Sequence, residues 1–174
     1  MTAEPSVAGA DSSLTHGTIT FPVRDGRVLL IEKKRGIGAG LYNGPGGKVE
    51  PGETPREAAR REVREEIDTD VPAISKRGEI EFVFGTDHYM TVHVYRSPGV
   101  TGSPAETPEA RPVWMDVDDV AYEEMWEDDR YWLPLLFDDR TFRGWFRFDG
   151  DGTVLRGRYV VPDVPVFATN PDET

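Results

Sequence analysis

Residues 47–68, GKVEPGETPREAARREVREEID, decide the fold. Thr54-Pro55-Arg56-Glu57 reads as a helix start, with a hydroxyl at the cap, proline at the first helical position and a glutamate three residues beyond the cap. From there Ala59, Val63 and Ile67 fall four apart and give a narrow apolar face, while Glu62, Glu65 and Glu66 fall at i, i+3 and i+4 on another. Like charges at that spacing repel, by about a few tenths of a kcal/mol per pair in an isolated helix. The stripe therefore calls for a compensating cation. Oxygen ligands select hard divalent ions, and Mg2+, with Mn2+ as a substitute, suits a site that also meets phosphates. The ordinary fate of such a stripe is a solvated helix face, screened here by Arg60, Arg61 and Arg64, and the stripe alone does not choose between the two.

Outward from this helix the punctuation is regular. A β-rich run over Thr18–Val23, an Asp25-Gly26 turn and a second run over Arg27–Glu32 predict a hairpin, followed by a glycine-rich loop over Gly36–Gly47. Further β-like runs cover 79–84, 89–95, 113–116, 145–148 and 154–161, with a short helix expected over Val117–Tyr122 and a longer one over Asp129–Asp138. Strands on both sides of a central helix, without strict alternation, predict an α/β fold in which helices pack on a mixed sheet. Residues 1–15 and 162–174 read as loosely held tails, leaving one domain over 16–161.

Composition narrows the function. The chain has 174 residues, 32 acidic against 20 basic, and a formal net charge of −12, so gripping duplex nucleic acid by phosphate neutralisation is disfavoured. Any phosphate-bearing partner needs a metal or a local pocket. The absence of cysteine removes disulfides, thiolate metal sites and a Cys nucleophile. No window reaches the roughly 20 apolar residues of a membrane helix, and Met1–Thr15 lacks the pattern of a signal peptide, so the expectation is a cytoplasmic monomer away from membranes. His16, His88 and His93 fit no metal spacing. The excess of arginine over lysine fits either a high-salt cytoplasm or Arg-favouring codons.

Read from Gly47, the spacing Gly47-x5-Glu53-x7-Arg61-Glu62-Val63-x-Glu65-Glu66 resembles the signature of the Nudix hydrolases at all of its first seven fixed positions. The resemblance implies an α/β/α sandwich, a loop-helix-loop catalytic motif and hydrolysis of nucleoside diphosphates linked to another group. It also implies that Glu62, Glu65 and Glu66 ligate the metal together with the Gly47 carbonyl, and that Glu53 and Arg61 pair to orient the loop. The signature's closing Gly-aliphatic pair is Asp68-Thr69 here. That glycine would end the helix in a left-handed conformation, which Asp tolerates better than most residues, so a small stability cost and an intact site are expected.

The similarity extends over about residues 17–160. Residues 33–44, KKRGIGAGLYNG, and the run from Glu109 through Met125-Trp126-Glu127-Asp128-Asp129-Arg130-Tyr131-Trp132 look like the animal MutT-homologue enzymes, which hydrolyse oxidised purine nucleoside triphosphates. By that resemblance Asn43, Asp128 and Asp129 read the base edge, Trp126 stacks on it, and Thr18, Lys33 and Phe82 complete a substrate pocket. Glu109 becomes an extra metal ligand or the general base. Independently, two adjacent buried carboxyls cannot both ionise cheaply, so one should keep its proton and donate while the other accepts. Ile37 stands where the resembled enzymes carry an aromatic, which leaves base selectivity open. Another nucleotide, such as ADP-ribose or an unmodified triphosphate, and an inactive nucleotide-binding module stay as alternatives.

Overall fold

A computed structural model describes residues 14–86 and 88–166. Among these residues nine strands form one mixed sheet: β1 (Leu14–Arg24), β2 (Arg27–Lys33), β3 (Tyr42–Asn43), β4 (Gly46–Lys48), β5 (Ser75–Phe84), β6 (His88–Ser97), β7 (Ala110–Asp116), β8 (Phe142–Phe148) and β9 (Leu155–Pro162). The order is β3-β2-β1-β6-β5-β8-β9, with β4 paired to β1 and β7 to β2. β1 runs parallel to β6 and β5 to β8, while the other pairs are antiparallel. Among the described residues two α-helices, α1 (Pro55–Ile67) and α2 (Asp129–Phe137), complete the fold.

The two helices lie on opposite faces, as side-chain alternation along β2 shows. Leu29 and Ile31 pack with Ala59, Val63 and Ile67 of α1, whereas Val28 and Leu30 join Trp132, Leu133 and Leu136 of α2. This is the expected α/β/α sandwich.

α1 forms where its signals put it. Thr54 caps the helix by accepting from the Glu57 N–H, and the Glu57 carboxylate accepts from the Thr54 N–H in return. At the other end Asp68 takes φ 50°, the left-handed stop that the missing glycine would have supplied. The expected short helix over Val117–Tyr122 does not form. The Asp116 carboxylate accepts from the Asp118 N–H and closes a turn, leaving a single 3-10 turn at Tyr122–Glu124. β1 also begins inside the segment read as a tail, because Leu14 and Thr15 pair with β6. The rest of that segment, residues 1–13, and the end of the C-terminal one, residues 167–174, lie outside the described residues.

Removing the cap hydroxyl should be visible in stability alone. Thr54→Ala is expected to cost about 1 kcal/mol and to lower the midpoint of thermal unfolding by about 2–4 °C, as followed by calorimetry.

Candidate active site

The loop from β4 into α1 is tied to the helix by one side chain. Arg61 donates through Nε and Nη2 to the two Glu53 carboxylate oxygens at 2.7 and 2.8 Å, and Nη2 also reaches the Lys48 carbonyl at 3.0 Å. Its Nη1 donates to Glu62 at 2.8 Å and to Glu65 at 3.2 Å. The fork holds the Glu53 carboxyl below the usual carboxylate range, and Arg61 itself is held more firmly protonated.

The three stripe glutamates differ in burial. Glu66 is 6% exposed and sits on the side of α1 that packs against the sheet, the Glu62 side chain is 13% exposed, and that of Glu65 is 53% exposed. Burial pushes the Glu62 carboxyl up. Glu66 is pushed to about 8, first by burial and then by the charge of Glu62, with Lys33 and the Gly46 N–H opposing. Among the described residues no three carboxylate or imidazole groups converge into a cage as they stand, because Arg61 draws Glu62 and Glu65 to itself.

The same residues nonetheless suit a divalent cation. Glu66 Oε2 is buried without a hydrogen-bond partner, and Gly47 lies so close to Glu62 that a Cβ there would overlap the carboxylate. A carbonyl and several carboxylate oxygens are hard donors of the kind Mg2+ and Mn2+ take. Glu109 is near enough to raise Glu62 and Glu66 electrostatically, though its carboxylate rests on Arg35 at 3.2 Å.

A cavity of about 540 Å³ opens beside these groups, within the size range of small-ligand sites. It is lined by Gly47, Glu66 and all seven residues read as substrate-binding: Thr18, Lys33, Asn43, Phe82, Trp126, Asp128 and Asp129. Glu53, Arg61, Glu62, Glu65 and Glu109 lie outside its lining. Thr18 Oγ1 and Asp129 Oδ2 join Glu66 Oε2 as buried oxygens without a partner, so three residues of one cavity wall carry unspent hydrogen-bonding capacity.

At the end of the cavity away from α1, Asp128 and Asp129 are each 3% exposed. The Trp132 indole N–H, one helical turn on, donates to Asp128 Oδ2 at 2.8 Å. Burial raises Asp128 to about 6 against that bond. Asp129 is raised well above its ordinary value by burial and by the neighbouring Asp128, against a backbone hydrogen bond at Trp126. Neither carboxyl is a surface group.

Several lining residues escaped sequence reasoning. Trp132 carries no site role in the sequence reading, and its spacing of four from Asp128 at a helix start is the available signal. Phe84, Phe148 and the turn Gly150–Gly152 complete the wall near Trp126 and carried no signal in one sequence, because strand pairing alone brings them there.

The geometry agrees with comparison to known proteins. A NUDIX domain model matches residues 14–136. The chain is 45% identical over 139 residues to the oxidized purine nucleoside triphosphate hydrolase of Danio rerio and 42% identical over 139 residues to that of Mus musculus; each match covers 79% of this chain and 89% of the relative. The mutator MutT protein of Bacillus halodurans superposes with a TM-score of 0.75 at 24% identity, covering 84% of this chain and 97% of that one.

The buried acids make stability fall with pH. Both aspartic acids are raised in the folded chain, so above about pH 4 the unfolded chain releases protons that the folded one keeps. Stability is full below that point and is lost as pH climbs through about 6 for Asp128 and beyond for Asp129. Asp129→Asn escapes its share of the loss, and its unfolding free energy should gain on wild type as pH rises from about 5 to about 8. Chemical denaturation across that range checks it, and a pH-independent difference refutes it.

Proposed function

We propose that this chain, which belongs to the NUDIX family, hydrolyses oxidised purine nucleoside triphosphates of the 8-oxo-dGTP and 2-hydroxy-dATP kind to monophosphate and pyrophosphate, as a cytoplasmic monomer that cleans the nucleotide pool. The observation that carries the reading is the cavity itself. Its aromatic wall ends at one side in a buried pair of carboxyls and at the other in a buried glutamate beside Gly47, with orphaned oxygens at both ends. The identity to the two vertebrate hydrolases supports the choice of substrate.

In this reading each end has its own task. Trp126 offers a flat face to the base and Phe82 packs beside it. Asp129, the more strongly protonated carboxyl, donates to the base edge, while Asp128 and the Asn43 amide supply the remaining acceptor and donor positions. A purine whose oxidation alters that edge can be told from its parent by such groups. Thr18 and Lys33 hold the nucleotide in register.

At the other end Glu62, Glu65, Glu66 and the Gly47 carbonyl would hold Mg2+, or Mn2+ in its place, with Glu109 as a further ligand or as the base that takes a proton from water. When bound there, such an ion supplies neutralisation of the phosphate oxygens and activation of water. Glu53 and Arg61 keep the loop and helix in register, and Glu62 and Glu65, now on Arg61, would turn to such an ion. Burial in a largely apolar cavity strengthens every charge interaction along the phosphate chain.

Glu66→Gln keeps the shape of the side chain and removes its charge. It should retain or raise the unfolding temperature, because a buried acid with one unpartnered oxygen is replaced by a neutral group, and should lower kcat/KM for 8-oxo-dGTP by at least about 10²-fold. Wild-type rates in this variant would overturn the mechanism. Asp128→Ala should cost turnover of 8-oxo-dGTP and 2-hydroxy-dATP far more than that of dGTP, as read by product mass across a panel that includes ADP-ribose. Preference for ADP-ribose or for unmodified dGTP would overturn the substrate assignment, and nucleotide binding without Mg2+-dependent product would reduce the chain to a binding module.

A further inference from the structure

The indole of Trp126 is seated between two loops far apart in sequence. On its nitrogen side lies Gly38, where a Cβ would stand 3.0 Å from Trp126 Nε1 and 3.4 Å from Cζ2. On its far side lies Gly152, where a Cβ would stand 3.4 Å from Cζ3 and 3.6 Å from Cη2. Phe148 meets the indole edge-on at 6.0 Å between ring centroids. Gly38 and Gly152 both have positive φ, 81° and 77°.

Neither loop is free to retreat. The glycine-rich loop is closed by backbone bonds from Ala39 N–H to Gly36 O, Leu41 N–H to Gly38 O, Gly40 N–H to Lys33 O and Lys33 N–H to Leu41 O. The second turn is held by Gly152 N–H on Asp149 O and by Asp149 Oδ1, which accepts from the Thr153 and Val154 N–H groups at 3.0 Å each. A side chain at 38 therefore presses on an indole already backed by Gly152 and Phe148. The open direction is into the cavity that Trp126 lines.

We propose that Gly38, backed by Gly152, is a specificity-determining positioning residue: the bare glycine sets the depth at which the Trp126 indole stands and so the width of the slot that takes the base. This rests on the proposed reading of Trp126 as the stacking surface. Gly40 provides the matched control. It has φ 89° in the same loop, but a Cβ there meets nothing within 4 Å, so Gly40→Ala carries the same kind of backbone strain without touching the indole.

The experiment compares Gly38→Ala, Gly40→Ala and wild type as full chains. Both variants should unfold at similar, slightly lowered temperatures. Gly38→Ala should raise KM for 8-oxo-dGTP about tenfold with kcat within about twofold, while Gly40→Ala leaves both near wild type. Tryptophan emission of Gly38→Ala should also shift from wild type before any ligand is added, and that shift should vanish when Trp126→Phe is present in both backgrounds. Equal KM values in the two variants, or an emission shift that survives Trp126→Phe, overturns the proposal. If wild type favours another nucleotide, the substrate reading fails by itself. The emission comparison, and the KM comparison repeated on that nucleotide, still decide the role of Gly38.

Discussion

The Arg61 guanidinium is the point on which the catalytic half of the molecule hangs. One planar cation engages Glu53 with two bonds, fixes the Lys48 carbonyl and holds Glu62 and Glu65 through its remaining nitrogen. A lysine could make one of these bonds well but not the fork, because only guanidinium presents several donors in a rigid plane. The loop thus acquires a fixed position over α1 without a hydrophobic core of its own. The glycines at 46 and 47 let it approach closely, with Gly46 against the β1 backbone and Gly47 against the Glu62 carboxylate.

The net charge of −12 gains a physical meaning from this arrangement. Six of the carboxyl groups, Glu53, Glu62, Glu65, Glu66, Asp128 and Asp129, are concentrated at the two ends of the site, and the protein keeps them there by three different means. Glu53 is ion-paired, Glu62 and Glu65 share Arg61, and Glu66, Asp128 and Asp129 are buried with their pKa values raised. Five of the six are buried or half-buried, and the exposed one, Glu65, is ion-paired with Arg61. An acidic protein with a phosphate-bearing substrate is consistent once the acids nearest the phosphates either hold protons or meet a cation.

How much of this was legible in the sequence follows from how local each feature is. The cap at Thr54, the apolar face of α1 and the left-handed stop at Asp68 depend on neighbours within one or two turns, and all three are in place. A mixed sheet with packed helices followed from strand-helix-strand order, and the α/β/α sandwich from the family resemblance. β3 and β4 did not, because strands of two and three residues inside a glycine-rich loop exist only through pairing with β2 and β1. The helix expected at Val117 failed for a local reason, since Asp116 closes an Asx turn that competes with helix formation. In the cavity, the charged and amide positions were legible only through the family resemblance, whereas Phe148 and Gly152 looked like ordinary core and turn. The roles of Phe148 and Gly152 arise from the parallel β5–β8 pairing and from the approach of Gly152 to Phe84, 68 residues away, which one sequence does not display.

The two ends of the cavity are built by different parts of the chain. The carboxylate end belongs to β4 and α1, contiguous in sequence and locked by Arg61. The base end is assembled from the glycine-rich loop, β5, α2 and β8, brought together only by the sheet. A substitution at Ile37, which is 81% exposed at the rim, changes the base end without reaching any residue that holds Glu66 or Glu62 in place. Hydrolytic chemistry and base choice are therefore separable in this fold. The signature helix constrains the first through a dense set of short-range contacts, while the second rests on the width and polarity of a slot whose walls are free to vary independently.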